Sequence, residues 1–316
     1  MDHTASLQPP PAWTGRTDGT TAEHLRWHQV VEAYVPGAQP CDCVFVGFAS
    51  DEGVRRNKGR PGAAGGPDAL RQALSSMALA EPIKAFDAGT VVVTDERLED
   101  GQQRLGATVS ALLEAGHLPV VLGGGHEVAY GTYLGLAGST ARTPQTRVGI
   151  LNLDAHFDLR PDPLPSSGTP FRQALEAERA RGTALQYAVL GISQPSNTVA
   201  LFDTAARFGV RYLLDDRCDP AAAHRFVDDF LADVDLVHLT IDLDVLPAAV
   251  APGVSAPAAF GVPVATIQSV CDRVTASGKL AVVDVAELNP SLDIDNRTAR
   301  TAARLIHRIV TGHVAR

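Results

Sequence analysis

The chain has 316 residues, of which 45% are hydrophobic and 20% are charged, so it is long enough to bury the core of a globular protein. Its net charge of −9 at pH 7 argues against partners such as nucleic acid or an anionic membrane. The four cysteines form no CxxC pair, the N-terminus has no apolar signal core, and no apolar run approaches a membrane span. We therefore expect a cytoplasmic protein.

Residues 1–35 are predicted to form an irregular arm that wraps over the surface or over a neighbouring copy in an oligomer. Three consecutive prolines, at positions 9 to 11, prevent regular structure early in this arm. A buried strand is predicted at residues 43–49, and a charged, glycine-rich loop follows at residues 51–67. In α/β folds, ligands are gripped by the loops that leave strand ends, so this loop is expected to border a site.

Strands and helices are predicted to alternate along the rest of the chain. The remaining strands are expected at residues 83–87, 118–122, 151–160, 187–192, 210–213, 236–245 and 280–285. Helices are expected from residue 67 and at residues 98–115, 126–136, 171–180, 221–232, 264–276 and 298–311. This alternation predicts an α/β fold whose mostly parallel sheet is covered on both faces by helices. No linker divides it, so residues 36–316 are expected to form a single domain.

The predicted strand at residues 118–122 ends in three glycines, which deliver His126 at a turn or at the start of a helix. Such glycines can indicate phosphate binding, but no GK[ST] follows, and a close backbone approach beside a metal explains them better. A lone buried histidine is more often a hydrogen-bonded core residue than a metal ligand. His126 therefore becomes a candidate ligand only together with other ligands.

Residues 151–160 read LNLDAHFDLR. If this stretch is a strand, Asn152, Asp154, His156 and Asp158 share one face and apolar side chains occupy the other. Buried carboxylates must shift their pKa or find a cation, which a bound divalent metal supplies. The alternative is a solvated edge strand, which the apolar flank disfavours.

Asp242 and Asp244 repeat this pattern in the predicted strand at residues 236–245, with His238 further back as a core residue or a support for the ligands. Together with His126, these strand ends supply four carboxylates and two imidazoles. Mixed oxygen and nitrogen ligands without thiolates suit two bridged divalent ions such as manganese, and they suit a closed zinc site less well. The candidate metal ligands are His126, Asp154, His156, Asp158, Asp242 and Asp244.

The motifs GGGHE at residues 123–127, DAHFD at 154–158 and TIDLD at 240–244 resemble those of the ureohydrolase family of arginases and agmatinases. The resemblance covers nearly all of the chain after the first 40 residues. It implies a three-layer α/β/α sandwich, two Mn²⁺ ions per chain, and a bridging hydroxide that attacks a guanidine or amidine carbon. Members of the family often form homo-oligomers.

Within this family, the chain is most similar to the formimidoylglutamases of histidine breakdown. The similarity lies in the loop at residues 55–67, the stretch LPAAVAPGVSAP at 246–257, and residues 286–305. It implies hydrolysis of N-formimidoyl-L-glutamate to L-glutamate and formamide. Ser167 stands where arginases and agmatinases place a histidine, and residues 191–197 lack the carboxylate that holds an ammonium group in arginases.

The resemblance also assigns roles to side chains. Asp158 is expected to carry a proton besides binding metal, and Glu287 is expected to pair with the cationic amidinium group. The alternative for Glu287 is a surface carboxylate that opens the following turn. Residues expected to bind the substrate, particularly its two carboxylates, are Arg160, Asn57, Arg60 and Ser167, together with Glu287.

Two alternatives to an amidine hydrolase stay open. The first is an agmatinase or another guanidino-acid hydrolase that releases urea, against which Ser167 and the loop at residues 191–197 count. The second is a non-catalytic protein that keeps the fold. The arginines expected to bind substrate have their own alternative, since each would otherwise be a solvated loop charge.

Overall fold

The computed structural model describes residues 7–314. Its strands are β1 (Val31–Ala33), β2 (Cys43–Ala49), β3 (Ala85–Val92), β4 (Pro119–Leu122), β5 (Val148–Leu153), β6 (Leu185–Ile192), β7 (Arg211–Leu214), β8 (Leu236–Asp242) and β9 (Leu280–Ala286). Its helices are α1 (Trp27–Val30), α2 (Glu52–Arg56), α3 (Gly66–Ser75), α4 (Leu98–Glu114), α5 (Val128–Gly138), α6 (Pro170–Ala180), α7 (Val199–Phe208), α8 (Pro220–Ala232), α9 (Val264–Ala276) and α10 (Arg297–Val314). None of the described helices is long and apolar enough to cross a membrane.

The strands form one nine-stranded sheet in the order β1-β3-β2-β4-β9-β8-β5-β6-β7. Every pairing between these described strands is parallel. A parallel sheet must be covered on both faces, which explains why its central strands are apolar runs with little alternation. Strands β4, β9, β8 and β5 are adjacent at the centre, so the segments that follow them meet at one edge of the sheet.

Helices cover both faces of the sheet. On one face, Phe45 and Leu239 pack in a core that includes residues of α3, α8, α9 and α10. On the other, Val44 and Val121 pack with α4 and α5, and Ile150 packs with α5, α6 and α7. Neighbouring residues of one strand point to opposite faces, and this alternation divides the core in two. The predicted three-layer α/β/α sandwich is confirmed.

The N-terminal arm contains regular structure at its end, so the prediction of a wholly irregular segment is wrong for residues 27–33. Helix α1 leads into β1, which pairs with β3 at the edge of the sheet. Trp27 is fully buried there and its indole N–H donates to His307 Nδ1 over 3.0 Å, so burial of this large side chain fixes the segment. Residues 1–6 lie outside the described residues, and the domain division at residues 35 and 36 stays a prediction.

Candidate metal centre

A cavity of about 370 Å³ opens at the edge of the sheet where β4, β5, β8 and β9 end. Its volume is sufficient for a ligand the size of an amino acid derivative. Its position agrees with the rule that open parallel sheets bind ligands beyond the carboxyl ends of their strands. Five of the six predicted metal ligands line it, as does Glu287; the five are His126, His156, Asp158, Asp242 and Asp244.

His126 is placed by a tight turn between β4 and α5, and α5 begins two residues later than predicted. A Cβ atom on Gly124 would lie 1.9 Å from the carbonyl oxygen of Ser50, so only glycine permits this backbone approach. The backbone N–H of His126 donates to Glu287 Oε1 over 2.9 Å. The glycines therefore serve close packing beside the ligand, as the sequence indicated.

The ligand row of residues 154–158 is not part of a strand, and this corrects the prediction of a strand over residues 151–160. Strand β5 ends at Leu153, and the Asp154 carboxylate accepts the His156 backbone N–H over 2.6 Å in a local turn. Asn197 fixes this loop, because its side chain accepts the Phe157 N–H and donates to the Ala155 carbonyl. The ligands thus converge through a loop held by side-chain hydrogen bonds rather than through strand alternation.

Asp158 and Asp244 reach the centre through further turns. Asp158 adopts a positive φ of 48°, a conformation that aspartate tolerates better than most residues. Asp242 is the last residue of β8, and its carboxylate accepts the Asp244 backbone N–H over 2.9 Å as a short 3₁₀ turn begins. The predicted strand over residues 236–245 therefore ends at Asp242.

All six predicted ligands come together in two groups that share Asp154. His126 Nδ1 lies 3.2, 2.9 and 3.1 Å from carboxylate oxygens of Asp154, Asp158 and Asp242, respectively. His156 Nδ1 lies 3.0 Å from Asp244 Oδ2 and 3.5 Å from Asp154 Oδ1. Two groups with one shared carboxylate are the arrangement expected for a pair of bridged ions.

The crowded carboxylates of the cluster favour a bound cation. Burial and the neighbouring carboxylates raise the pKa of Asp158 to about 6 and that of Asp242 well above its usual value. Burial alone would lower the pKa of His126, but the surrounding carboxylates raise it well above its usual range. Although these oxygens are close, the buried His126 Nδ1 forms no well-oriented hydrogen bond within residues 7–314. Oxygen and nitrogen donors without a thiolate fit manganese.

The family model for the arginase family matches residues 41–312, most of the chain. The chain belongs to the arginase family. A formimidoylglutamase of Nocardia farcinica (strain IFM 10152) is 78% identical over 308 residues, covering 98% of each protein. A formimidoylglutamase of Rhodococcus opacus (strain B4) is 73% identical over 311 residues, covering 98% of this chain and 97% of that protein.

A crystal structure of Trypanosoma cruzi formiminoglutamase with two Mn²⁺ ions shares the architecture of this arginase family member. The two chains superpose with a TM-score of 0.81 at 26% sequence identity, covering 92% of this chain and 99% of that chain. The similarity confirms the fold and links it to a related protein that holds two manganese ions.

Every residue predicted to bind substrate lines the cavity. Asn57 Nδ2 donates to Ser167 Oγ over 3.0 Å, which joins the glycine-rich loop to the loop before α6. The Arg160 backbone N–H donates to the Gly168 carbonyl, and its guanidinium has no partner among residues 7–314. Arg160 is therefore available to an anionic ligand.

Arg60 is less available than the sequence suggested. Its Nε donates to the Ser255 carbonyl over 2.8 Å, and its Nη2 donates to the Val254 carbonyl over 2.7 Å. Much of this guanidinium therefore anchors the loop after β8. Binding of a substrate carboxylate by Arg60 stays a prediction, and Nη1 is the nitrogen that remains for it.

The polar and charged cavity residues that sequence reasoning missed are Lys58, Ser196, Asn197 and Ser255. Lys58 stands between the predicted residues Asn57 and Arg60, so the loop itself was a signal for it. Residues 191–197 were compared with the arginase substrate loop, but nothing indicated that Asn197 fixes the ligand loop, because its contacts with Ala155 and Phe157 join segments about 40 residues apart.

Proposed function

We propose that this arginase family member is a formimidoylglutamase that hydrolyses N-formimidoyl-L-glutamate to L-glutamate and formamide with two bound Mn²⁺ ions. The observation that carries the proposal is 78% identity, over nearly the full length, to a formimidoylglutamase. The six-ligand cluster and the cations at the cavity mouth support it. A cytoplasmic location and a homo-oligomeric state remain predictions.

The two ligand groups define which residues would hold the ions. One group is His126, Asp154, Asp158 and Asp242, and the other is Asp154, His156 and Asp244. Two divalent ions, when bound, supply a hydroxide nucleophile near neutral pH and polarise the substrate. The protein contributes ligands that are held in position by the turns after β4, β5 and β8.

Glu287 is the residue proposed to orient the substrate. Its side chain is 6% exposed, lines the cavity, and is fixed by the hydrogen bond from the His126 N–H. Burial and the neighbouring Glu127 raise the pKa of Glu287 to about 8. An approaching amidinium cation would lower this pKa again and favour the ionised carboxylate as its counter-charge. Charge-assisted hydrogen bonds to that group would hold the amidine carbon in one orientation.

Asp158 is the proposed proton carrier. Hydrolysis breaks the bond between the amidine carbon and the glutamate nitrogen, and the departing nitrogen must gain a proton. Asp158 lines the cavity and its side chain is 12% exposed, whereas the Asp154 side chain is fully buried. Among the ligands of the first group, Asp158 is thus more accessible to a substrate atom than Asp154.

Cations at the mouth suit a dicarboxylic substrate. Arg160 and Lys58 line the cavity, and neither forms an ion pair within residues 7–314. In contrast, Arg56 and Arg172 are paired with Glu99 and Glu176, so they are occupied by protein carboxylates. Arg160 and Lys58 would attract the carboxylates of N-formimidoyl-L-glutamate.

Replacing Arg160 with alanine is expected to raise KM for N-formimidoyl-L-glutamate about 10- to 100-fold, because a hydrogen bond to a charged group contributes roughly 1.5–3 kcal/mol. The value of kcat should change little, since the carboxylates lie away from the reacting carbon. Steady-state kinetics measure both constants. Arg172→Ala, which removes an arginine outside this cavity, is the matched control, and equal KM effects in both variants would contradict the role of Arg160.

The substrate test is hydrolysis by manganese-loaded protein of N-formimidoyl-L-glutamate, arginine, agmatine and guanidinobutyrate, with formamide and urea as the measured products. We expect formamide alone, because Ser196 and Asn197 line the cavity where arginases offer a carboxylate to an ammonium group. Urea would favour a guanidino hydrolase. Manganese binding without any product would favour the non-catalytic alternative.

A further inference from the structure

A line of four buried side chains extends from the metal centre into the core, away from the cavity. His126 Nε2 lies 3.0 Å from Thr240 Oγ1, and the Thr240 hydroxyl donates to Asp284 Oδ1 over 2.5 Å. The other oxygen of Asp284 lies 2.5 Å from His238 Nε2. Three of the four side chains are fully buried, and His126 is 1% exposed.

The parallel sheet brings this line together. Thr240 of β8 and Asp284 of β9 are direct partners in the strand register, so their side chains lie side by side. His238 is two residues before Thr240 on β8, which places both on the same face. His126 enters from the turn after β4, the other neighbour of β9.

The direction of the hydrogen bonds determines the tautomer of His126. Burial raises the pKa of Asp284, but His238 and Thr240 lower it more strongly, so Asp284 is an ionised acceptor for both neighbours. The Thr240 hydroxyl has a single hydrogen, which it gives to Asp284, so its oxygen accepts the hydrogen from His126 Nε2. Nδ1 of His126 is then the nitrogen that faces Asp154, Asp158 and Asp242, where its lone pair could bind an ion.

We propose that Thr240 and Asp284 are positioning residues that hold His126 in the orientation and tautomer needed to bind one of the two metal ions. The inference rests on the proposed two-metal function. A histidine that binds a metal needs a partner for its second nitrogen, and a carboxylate commonly fills this role. Here the Thr240 hydroxyl lies between the histidine and the carboxylate, since it contacts His126 Nε2 and donates to Asp284.

The hydrogen-bonded line reaches His126, which belongs to one of the two ligand groups, and does not reach His156 of the other. The His156 side chain is 26% exposed, and its Nε2 has no hydrogen-bond partner among residues 7–314. Of these two histidines, His126 is the one whose Nε2 is linked to a buried carboxylate. Disruption of the line should therefore weaken the ion held by His126, Asp158 and Asp242 and spare the ion held by His156 and Asp244.

The test compares Thr240→Val, which keeps the shape of the side chain and removes the hydroxyl, with Thr240→Ser, which keeps the hydroxyl. Manganese binding to the metal-free full-length proteins is measured by isothermal titration calorimetry. In Thr240→Val, the dissociation constant of one ion should rise about 10- to 100-fold while that of the other stays within twofold. Thr240→Ser should bind both ions as the wild type does.

Electron paramagnetic resonance provides a second readout that does not depend on turnover. At a manganese concentration that saturates the wild type, we expect a spin-coupled pair in the wild type and in Thr240→Ser, and isolated ions in Thr240→Val. Thr240→Ala, which removes the same hydroxyl, replaces Thr240→Val in both measurements if that variant does not fold.

Three results would overturn the positioning role. The first is wild-type affinity for both ions in the variants without the hydroxyl. The second is equal weakening of both ions and the third is the same loss in Thr240→Ser, because either would indicate a general structural defect. Failure of the wild type itself to bind two manganese ions would instead refute the proposed metal centre, which distinguishes the two hypotheses.

Discussion

Replacing Asp242 with alanine is expected to remove one manganese ion per chain and to lower kcat about a thousandfold, since a catalytic metal contributes several kcal/mol to transition-state stabilisation. Asp242 Oδ2 lies 3.1 Å from His126 Nδ1 in the first ligand group. Its other oxygen accepts the Asp244 N–H, so the substitution also releases the turn that carries a ligand of the second group. Metal content by mass spectrometry and steady-state kinetics measure the two effects.

The same variant separates a loss of metal from a loss of fold. In metal-free protein, Asp242→Ala removes one of four crowded carboxylates, so we expect its melting temperature to be no lower than that of the wild type. Added manganese should raise the melting temperature of the wild type more than that of the variant.

Asp203→Ala, at an exposed position on α7, serves as the control for Asp242→Ala and should match the wild type in metal content and kcat. Full manganese content together with full turnover in Asp242→Ala would show that the ligand assignment is wrong. A large fall in the melting temperature of the metal-free variant would show that Asp242 stabilises the fold instead.

Replacing Glu287 with glutamine is expected to lower kcat/KM about 100- to 1,000-fold, because losing one partner of a buried charge pair costs roughly 2–5 kcal/mol. The amide oxygen of glutamine can still accept the His126 N–H that Glu287 Oε1 now accepts, so the backbone beside the ligand is preserved. Manganese content should therefore stay at the wild-type level. Kinetics with N-formimidoyl-L-glutamate and metal analysis test the two expectations.

Glu127→Gln is the matched control for Glu287→Gln. Glu127 is fully buried beside the centre, but its carboxylate accepts hydrogen bonds from Ser50 and Gly53 and does not line the cavity. We expect this control to keep kcat/KM within a few-fold of the wild type. A comparable loss in both variants would mean that Glu287 acts through the total charge of the region and has no direct contact with substrate.

The sequence predicted which side chains gather at the candidate metal centre, because each motif combines an apolar run with polar residues at its end. His126 follows the glycines after β4, as the local pattern indicated, whereas β8 ends at Asp242, three residues earlier than predicted. The conformation of the ligand-bearing loop was predicted wrongly, however. Alternating residues after Leu153 resemble a strand, but the chain turns there because the side chains of Asp154 and Asn197 accept backbone N–H groups of the loop.

Substrate-side residues were predicted less completely. The glycine-rich loop was recognised as a border of the site, and Asn57 and Arg60 do line the cavity. That Arg60 uses two of its nitrogens on the backbone of residues 254 and 255 could not be seen, because this contact joins segments almost 200 residues apart. Charge and loop composition indicate which side chains could bind a substrate carboxylate. Contacts with backbone carbonyls distant in sequence determine which of these side chains already have a partner within the protein.

The sequence by itself determined the alternation of strands and helices, the covered parallel sheet and the identity of the six candidate metal ligands. These features follow from local patterns, since apolar periodicity defines the buried face of each element and polar residues mark its end. The tertiary structure alone decided which side chains meet. The order β4-β9-β8-β5 brings Asp284 beside Thr240 and places His126 within reach of that hydroxyl. Strand order and register arise from contacts distant in sequence, which no local period encodes.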